Sequence, residues 1–108
     1  MVIKQFGVYV VNLDPTLGSE VQKTRPCMVI SPDEMNKHLK TIIIVPLTST
    51  IRTYPTRINC KFEGKSGQLA LDQMRAVDKI RLVKQLGNFT DKPLIRKLMD
   101  TIQEMFRY

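Results

Sequence analysis

Short apolar runs, several of them alternating with polar residues, fill most of the chain and favour β-strands. Residues 6–13 are rich in valine and aromatic side chains, which predicts a largely buried first strand. Residues 27–30 predict a second strand, and residues 41–45 (TIIIV) are the most strand-prone run. We expect residues 41–45 to be the central strand and to end at Pro46, because proline cannot donate to a sheet ladder.

The second half of the chain continues this pattern. Residues 56–62 alternate polar and apolar side chains, which predicts a half-buried strand, and residues 64–67 predict a turn. Residues 68–72 predict another strand, and residues 77–83 add further short strand material.

Two segments have helical character. Apolar residues recur at helical spacing across residues 94–106, behind Asp91 as a candidate N-cap and Pro93 in the first turn. Ser31 begins a capping-box pattern with proline at the first helical position, so residues 32–37 predict a short helix or a single turn. The chain is therefore predicted to be mainly β with helices (α+β), arranged as a small antiparallel barrel with a C-terminal amphipathic helix.

Length and composition limit the remaining possibilities. The 108 residues suffice for one domain, which we expect to span residues 1–108. No run of about eighteen apolar residues is present, and the N-terminal residues predict a strand rather than a signal peptide, so we expect a cytoplasmic protein without a membrane segment. Cys27 and Cys60 are too few for a disulfide scaffold or a zinc site, and both are predicted to be buried thiols. We expect neither a metal nor a cofactor.

The charge balance indicates a polyanionic partner. Seventeen Lys and Arg against ten Asp and Glu give a net charge of +7 and a pI near 9.7, although basicity can serve solubility alone. The positive charges cluster on two short stretches, which suggests a basic face. They are Arg52 and Arg57 around a turn, and Arg75, Lys79, Arg81 and Lys84 further on.

A long loop and the arginine that follows it form the first candidate site. Residues 14–24 carry proline, glycine and polar side chains, and a loop of this length favours function over mere linkage. Pro26 biases Arg25 towards an extended backbone, which places the guanidinium at the start of the strand 27–30. A cation held at this position can bind a phosphate. The alternative is that Arg25 forms a structural salt bridge with Glu20.

Five short blocks carry a family resemblance. They are G-S-E at 18–20, R-P at 25–26, V-I-S-P at 29–32, P-L-T-S at 46–49 and L-D-Q-M-R-A-V-D-K-I-R-L at 71–82. In this order and spacing they resemble the MazF/PemK family of toxin ribonucleases over nearly the whole chain. The resemblance implies an SH3-like barrel acting as a homodimer, metal-independent cleavage of single-stranded RNA at short sequences, and neutralisation by a cognate antitoxin.

Cleavage of RNA without a metal needs a base for the 2′-hydroxyl, a cation for the charge developing on phosphorus, and an acid for the leaving oxygen. One histidine, His38, lies in a polar turn, which excludes a two-histidine mechanism within one subunit. Arg25 is the preferred cation, because its planar fork matches phosphate oxygens. Without a Cys–His nucleophile, the 2′-oxygen is the expected attacker.

The other catalytic candidates depend more strongly on the resemblance. Thr48 matches a catalytic or phosphate-contacting hydroxyl of the family, whereas residue type alone favours an ordinary strand-end hydroxyl bonded to backbone. Glu20 is a candidate base on the loop, with a solvated carboxylate as the alternative. Asp72 corresponds to a base of some relatives that also carry an arginine two positions earlier, where this chain has Ala70, so we expect Asp72 to be structural or RNA-binding.

RNA contacts are expected from exposed bases and from the sugar–phosphate backbone. Tyr54 is the aromatic residue that lies in a loop expected at the cleft. The predicted RNA-binding residues are Ser19, Ser49, Arg52, Tyr54, Asp72, Gln73, Arg75 and Lys79.

Three classes of function stay open on the sequence. The first is an endoribonuclease toxin inhibited by an acidic antitoxin, since a disordered acidic segment suits a basic groove. The second is a gyrase poison of the CcdB type on the same fold, which would need neither Arg25 nor Thr48. The third is a basic nucleic-acid-binding module without catalysis.

Overall fold

The structure, a computed structural model, describes residues 2–13 and 23–108. It contains seven strands, two α-helices and two 3₁₀ turns, the turns at Leu71–Gln73 and Lys79–Arg81. The strands are β1 (Gly7–Asn12), β2 (Thr24–Val29), β3 (Thr41–Thr48), β4 (Arg57–Phe62), β5 (Lys65–Ala70), β6 (Arg75–Asp78) and β7 (Leu82–Asn88). The helices are α1 (Asp33–His38) and α2 (Lys92–Met105).

The strands form one antiparallel arrangement in the order β4-β5-β3-β2-β1-β7, and β6 pairs with β3. The prediction of a mainly antiparallel β fold with a C-terminal helix is confirmed. The sheet is not closed into a continuous barrel, because β4 and β7 lie at opposite ends of its path. Side chains nevertheless pack between β4 and the end of β7. The rings of Phe62 and Phe89 lie 5.3 Å apart, and a Cβ at Gly87 would come within 3.2 Å of the Phe62 ring.

Pro46 does not end the central strand as predicted. β3 continues to Thr48, and Pro46 lies opposite Cys27 in the ladder with β2. One pair beyond that ladder, Ile30 donates its backbone N–H to the carbonyl of Ile43. Because antiparallel pairs alternate between bonded and non-bonded, the Cys27–Pro46 pair is non-bonded. The proline nitrogen therefore faces the other edge, where the partner of β3 changes from β6 to β5 and no donor is required.

Several strand boundaries differ from the prediction. β2 begins at Thr24, so Arg25 lies within the strand, opposite Val11 of β1, rather than before it. β5 begins earlier than predicted and ends at Ala70, because the chain turns into a 3₁₀ segment that carries Asp72. β7 extends to Asn88, since its pairing with β1 supports polar residues that have little strand propensity of their own.

The predicted capping box of the first helix is wrong. α1 begins at Asp33 with Pro32 as its N-cap, and no side chain caps it. Ser31 is 2% exposed, and its Oγ accepts the backbone N–H of Ile43 at 3.0 Å while donating to Asn36. The serine hydroxyl therefore joins α1 to β3 instead of capping the helix.

The C-terminal helix confirms the sequence pattern. Asp91 is the N-cap of α2, and its Oδ1 accepts the backbone N–H of Leu94 at 3.2 Å. Leu98 is fully buried, whereas Phe106, predicted on the apolar face, follows the last helical residue and is 70% exposed. α2 thereby closes a cluster of buried residues on one face of the sheet: Val8, Met28, Ile30, Val45, Ile58, Leu69, Leu71, Phe89 and Leu98.

The two thiols lie at different depths. Cys27 is fully buried, as predicted, and Cys60 is only half-buried. Burial raises the pKa of the Cys27 thiol to about 12, against the opposing influence of Arg25 and Arg75. Burial also raises the pKa of the Cys60 thiol. In the described part of the chain, no helix is long and apolar enough to cross a membrane.

Candidate functional site

A cavity of about 400 Å³ opens where the ends of β2 and β3 meet the β4–β5 hairpin. Arg25, Thr48 and Ser49 line it together, so the structure brings two predicted catalytic residues and one predicted RNA-binding residue to one place. The opposite wall comes from the hairpin and from β7, through Phe62, Glu63, Lys65, Ser66, Gly67 and Leu86.

Arg25 reaches this cavity because β2 is extended from Thr24 onwards and Pro26 follows directly. The residue is exposed, and no carboxylate of residues 2–13 or 23–108 forms an ion pair with it. Its planar guanidinium has the geometry that binds anions such as phosphate. Glu20, the alternative salt-bridge partner and candidate base, lies outside the described residues, as does Ser19.

Thr48 is the last residue of β3 and lies opposite Gln68 of β5. Its Oγ1 accepts the backbone N–H of Thr50 at 3.1 Å, which fixes the side chain, and the hydroxyl proton can still be donated to a phosphate oxygen. A Cβ at Gly67 would come within 2.7 Å of the Thr48 carbonyl oxygen. Only glycine lets β5 approach Thr48 this closely.

The polypeptide leaves the cavity through residues 49–56, a segment without regular structure that carries the predicted RNA-binding residues Arg52 and Tyr54. Its main chain is held at Arg52 by Gln68, a residue that sequence reasoning missed. Gln68 is 3% exposed and forms hydrogen bonds of 3.0 Å with both the N–H and the carbonyl of Arg52. The one signal in the sequence is a polar residue beside the apolar run 69–71.

The base of this loop is held by an ion pair. Arg57 donates from Nε to Asp72 Oδ1 at 2.7 Å and from Nη2 to Oδ2 at 3.2 Å, and its side chain is only 6% exposed. Thr56 also donates to Asp72, and the Arg57 guanidinium lies 5.4 Å from the centre of the Tyr54 ring. The hydrogen bonds from Arg57 hold the pKa of Asp72 below its usual range. A carboxylate so stabilised is a weak general base.

The Arg57–Asp72 pair bears on the departure from the family pattern at position 70. This chain has Ala70 where some relatives carry an arginine two positions before the carboxylate, and we expect Asp72 to be structural or RNA-binding. Arg57 lies directly opposite Ala70 in the β4–β5 ladder, where side chains of paired residues share one face of the sheet. The neighbouring strand therefore supplies the guanidinium.

The remaining predicted RNA-binding residues lie outside the cavity wall. Gln73 and Arg75 are exposed on the 3₁₀ turn and on β6, and Arg75 is near enough to Cys27 to influence its pKa, as Arg25 does. Lys79 lines a different cavity beside α1, together with Lys4. The structure thus gathers Arg25, Thr48 and Ser49 but not the whole predicted set.

Glu63 is a cavity residue that the sequence pattern did not identify. It forms a two-residue turn with Gly64 between Phe62 and Lys65, and both turn residues have positive φ, 51° and 77°. Such turns favour Asn-Gly or Asp-Gly, so Glu63 occupies a conformation that is unfavourable for it. It is the only carboxylate among the described residues that line the cavity.

The arrangement can bind a phosphate between a guanidinium and two hydroxyls. Arg25 offers a charged fork, and Thr48 and Ser49 offer O–H donors on the adjoining strand end. Within the described ranges, no three His, Cys, Asp or Glu side chains are placed to hold a metal ion.

Comparison with known proteins identifies the class. A family model described as "PemK-like, MazF-like toxin of type II toxin-antitoxin system" matches residues 4–106, and the chain belongs to this family. It is 32% identical over 110 residues to endoribonuclease EndoA of Bacillus subtilis, covering 96% of this chain and 90% of the relative. It is 32% identical over 98 residues to endoribonuclease MazF of Staphylococcus saprophyticus, covering 85% and 82%.

Solved structures share the fold. A mycobacterial endoribonuclease in complex with its cognate antitoxin aligns with a TM-score of 0.81 at 21% identity, covering 98% of each chain. MazF from Deinococcus radiodurans aligns with a TM-score of 0.79 at 23% identity, covering 97% of this chain and 96% of that one.

Proposed function

We propose that this toxin is a metal-independent, sequence-specific endoribonuclease that cleaves single-stranded RNA. The observation that carries the proposal is the shared cavity of Arg25 and Thr48, in a chain whose relatives are named endoribonucleases. A phosphodiester is the substrate group that such a cation–hydroxyl pair fits.

The proposed reaction is an attack of the ribose 2′-oxygen on the adjacent phosphorus. A bond forms from the 2′-oxygen to phosphorus, and the bond from phosphorus to the 5′-oxygen breaks, which leaves a 2′,3′-cyclic phosphate. Arg25 stabilises the charge on the non-bridging oxygens, and Thr48 donates a hydrogen bond to one of them. Glu20 accepts the 2′-hydroxyl proton in this proposal, and the leaving 5′-oxygen takes up a proton from solvent water.

RNA binding is proposed to extend from the cavity along the loop 49–56. Ser49 and Arg52 contact the backbone, and the half-exposed ring of Tyr54 offers a face on which a base can stack. The remaining proposed contacts are Ser19 and the more distant Gln73, Arg75 and Lys79. Asp72 supports this surface through Arg57 rather than touching the scissile phosphate.

The proposed partners are a second copy of this chain, in a cytoplasmic homodimer, and an acidic antitoxin. The net charge of +7 favours an acidic segment, and one structural neighbour was solved with its cognate antitoxin. Antitoxin and RNA would compete for the loops 14–24 and 49–54. Binding of an antitoxin together with uncleavable RNA, without mutual loss of affinity, would contradict this competition.

The test is cleavage of a long RNA by the purified protein in excess EDTA. We expect fragments with 2′,3′-cyclic phosphate ends and resistance of an RNA with a 2′-deoxy nucleotide at the scissile position. Cleavage of that RNA at the normal rate would replace 2′-oxygen attack with attack by water. RNA binding without cleavage would instead indicate a non-catalytic module, and inhibition of gyrase would indicate the CcdB-like alternative.

A further inference from the structure

Gln68 forms an unusual contact with the loop beside the cavity. Its Oε1 accepts the backbone N–H of Arg52 at 3.0 Å, and its Nε2 donates to the carbonyl of the same residue at 3.0 Å. A second Nε2 hydrogen bond reaches Asn59 Oδ1 at 2.8 Å. The side-chain amide thus pairs with the loop main chain in the manner of a neighbouring β-strand.

The main chain of Arg52 permits only one orientation of the Gln68 side-chain amide. Its N–H needs an acceptor and its carbonyl needs a donor, so Oε1 and Nε2 cannot be exchanged. Gln68 is 3% exposed, and leaving a buried amide without partners is costly. These hydrogen bonds therefore anchor the loop to the sheet.

The position of Gln68 in the sheet connects this anchor to the cavity. Gln68 pairs with the backbone of Thr48 across the β3–β5 ladder and holds Arg52 through its side chain. Between Thr48 and Arg52 runs the segment that begins with Ser49. Gln68 therefore holds the chain at Thr48, just before the loop 49–56, and at Arg52, within it.

We propose that Gln68 is a positioning residue for RNA binding, which holds residues 49–56 as a fixed wall beside Thr48. The proposal rests on the endoribonuclease function proposed above. A pre-organised wall lowers the entropy lost when RNA binds, whereas Arg25 and Thr48 act on the reacting phosphate. Loss of the Gln68 contacts should therefore weaken substrate binding more than it slows the chemical step.

The test compares Gln68→Met with two control variants. Methionine fills nearly the same space without hydrogen-bonding groups, so the buried volume is kept. Gln85→Met makes the same change at an exposed position on β7, and Val77→Ala lowers stability at a buried position on β6. KM and kcat for RNA cleavage are measured well below the unfolding temperature of each variant. Hydrogen exchange of the Arg52 amide is followed by NMR.

In Gln68→Met we expect KM to rise about tenfold with kcat within about threefold of the unmodified protein. The Arg52 amide should exchange about tenfold faster, because its acceptor is gone. Both controls should keep the KM of the unmodified protein. A KM that is unchanged in Gln68→Met, or that rises equally in Val77→Ala, would overturn the proposal.

Failure of the proposed function can be distinguished from failure of this inference. If the unmodified protein cleaves no RNA, the endoribonuclease proposal is overturned. The same variants are then compared by titration with the 2′-deoxy RNA. An unchanged Kd in Gln68→Met, or unchanged exchange of the Arg52 amide, would overturn the positioning role.

Discussion

Arg25 and Arg57 show two uses of the same side chain in neighbouring parts of the molecule. The Arg57 side chain is 6% exposed, and both oxygens of the Asp72 carboxylate accept its N–H groups. Arg25 is exposed at a cavity, and no carboxylate of the described residues pairs with it. A guanidinium paired with a carboxylate holds the fold together, whereas Arg25, which pairs with no carboxylate of the described residues, is the one that we propose to bind a phosphate.

Arg25→Ala tests the available cation and should have the largest effect. Loss of one pre-organised donor costs about a hundred- to a thousandfold in rate. Because the residue is exposed, the free energy of unfolding should change by less than about 0.5 kcal/mol. RNA cleavage and urea unfolding are measured on the same preparation. Cleavage close to that of the unmodified protein would remove Arg25 from the mechanism.

Gly67→Ala tests the cavity without altering its polar groups. The new methyl group would lie 2.7 Å from the Thr48 carbonyl oxygen, so Thr48 must move. A displacement of this size should lower the rate of cleavage about ten- to a hundredfold.

Gly64→Ala is the matched control for Gly67→Ala. Its Cβ meets no atom within 4 Å, but the φ of 77° strains any residue with a side chain. This variant should therefore lose stability and keep its cleavage rate. Equal loss of cleavage in the two glycine variants would assign the effect of Gly67→Ala to lost stability rather than to displacement of Thr48.

Arg57→Met tests the paired cation and should act mainly on stability. Loss of its hydrogen bonds leaves Asp72 without its main partner, which should lower the free energy of unfolding by about 1–3 kcal/mol. The Asp72 carboxylate is 32% exposed, so solvent screening favours the lower half of this range. A double-mutant cycle with Asp72→Asn, followed by urea unfolding, measures the coupling; additive losses would contradict the pair.

The same pair gives stability a dependence on pH. Because folding lowers the pKa of Asp72, the unfolded chain binds this proton more readily than the folded one. The stabilisation is present above the unfolded value of about 3.9 and is lost as the pH falls below it towards the folded pKa. Asp72→Asn should flatten stability in this acidic range. An equally steep loss in that variant would assign the effect to other carboxyl groups.

Glu63→Asn should have the smallest effect and changes the rim of the cavity. Asparagine adopts positive φ more readily than glutamate, so the turn should gain about 0.5 kcal/mol of stability. Urea unfolding measures this gain, and a loss of stability would show that the Glu63 side chain supports the turn. The rate of RNA cleavage by the same variant measures how much the Glu63 carboxylate contributes to activity.

The predicted elements that the structure confirms are those whose formation depends on residues close to one another in the sequence. α2 was predicted with its N-cap because helical periodicity and the Asp91 cap both act within one or two turns. Most strands were located for the same reason, although Pro46 was misassigned as a strand end. Whether a proline ends a strand depends on which edge its nitrogen faces, and that edge is set by partners elsewhere in the chain.

The candidate site likewise contains some residues that the sequence predicted and others that only the structure revealed. The sequence by itself determined the strand-rich fold class, the C-terminal helix and the prediction of Arg25, because each depends on short motifs and local periodicity. The prediction of Thr48 depended on the family resemblance. Only the tertiary structure decided that Gln68 holds Arg52 and that Arg57 rather than a residue at position 70 pairs with Asp72, across separations of 16 and 15 residues. Such pairs depend on strand register, and a shift of one residue would turn every side chain to the other face of the sheet.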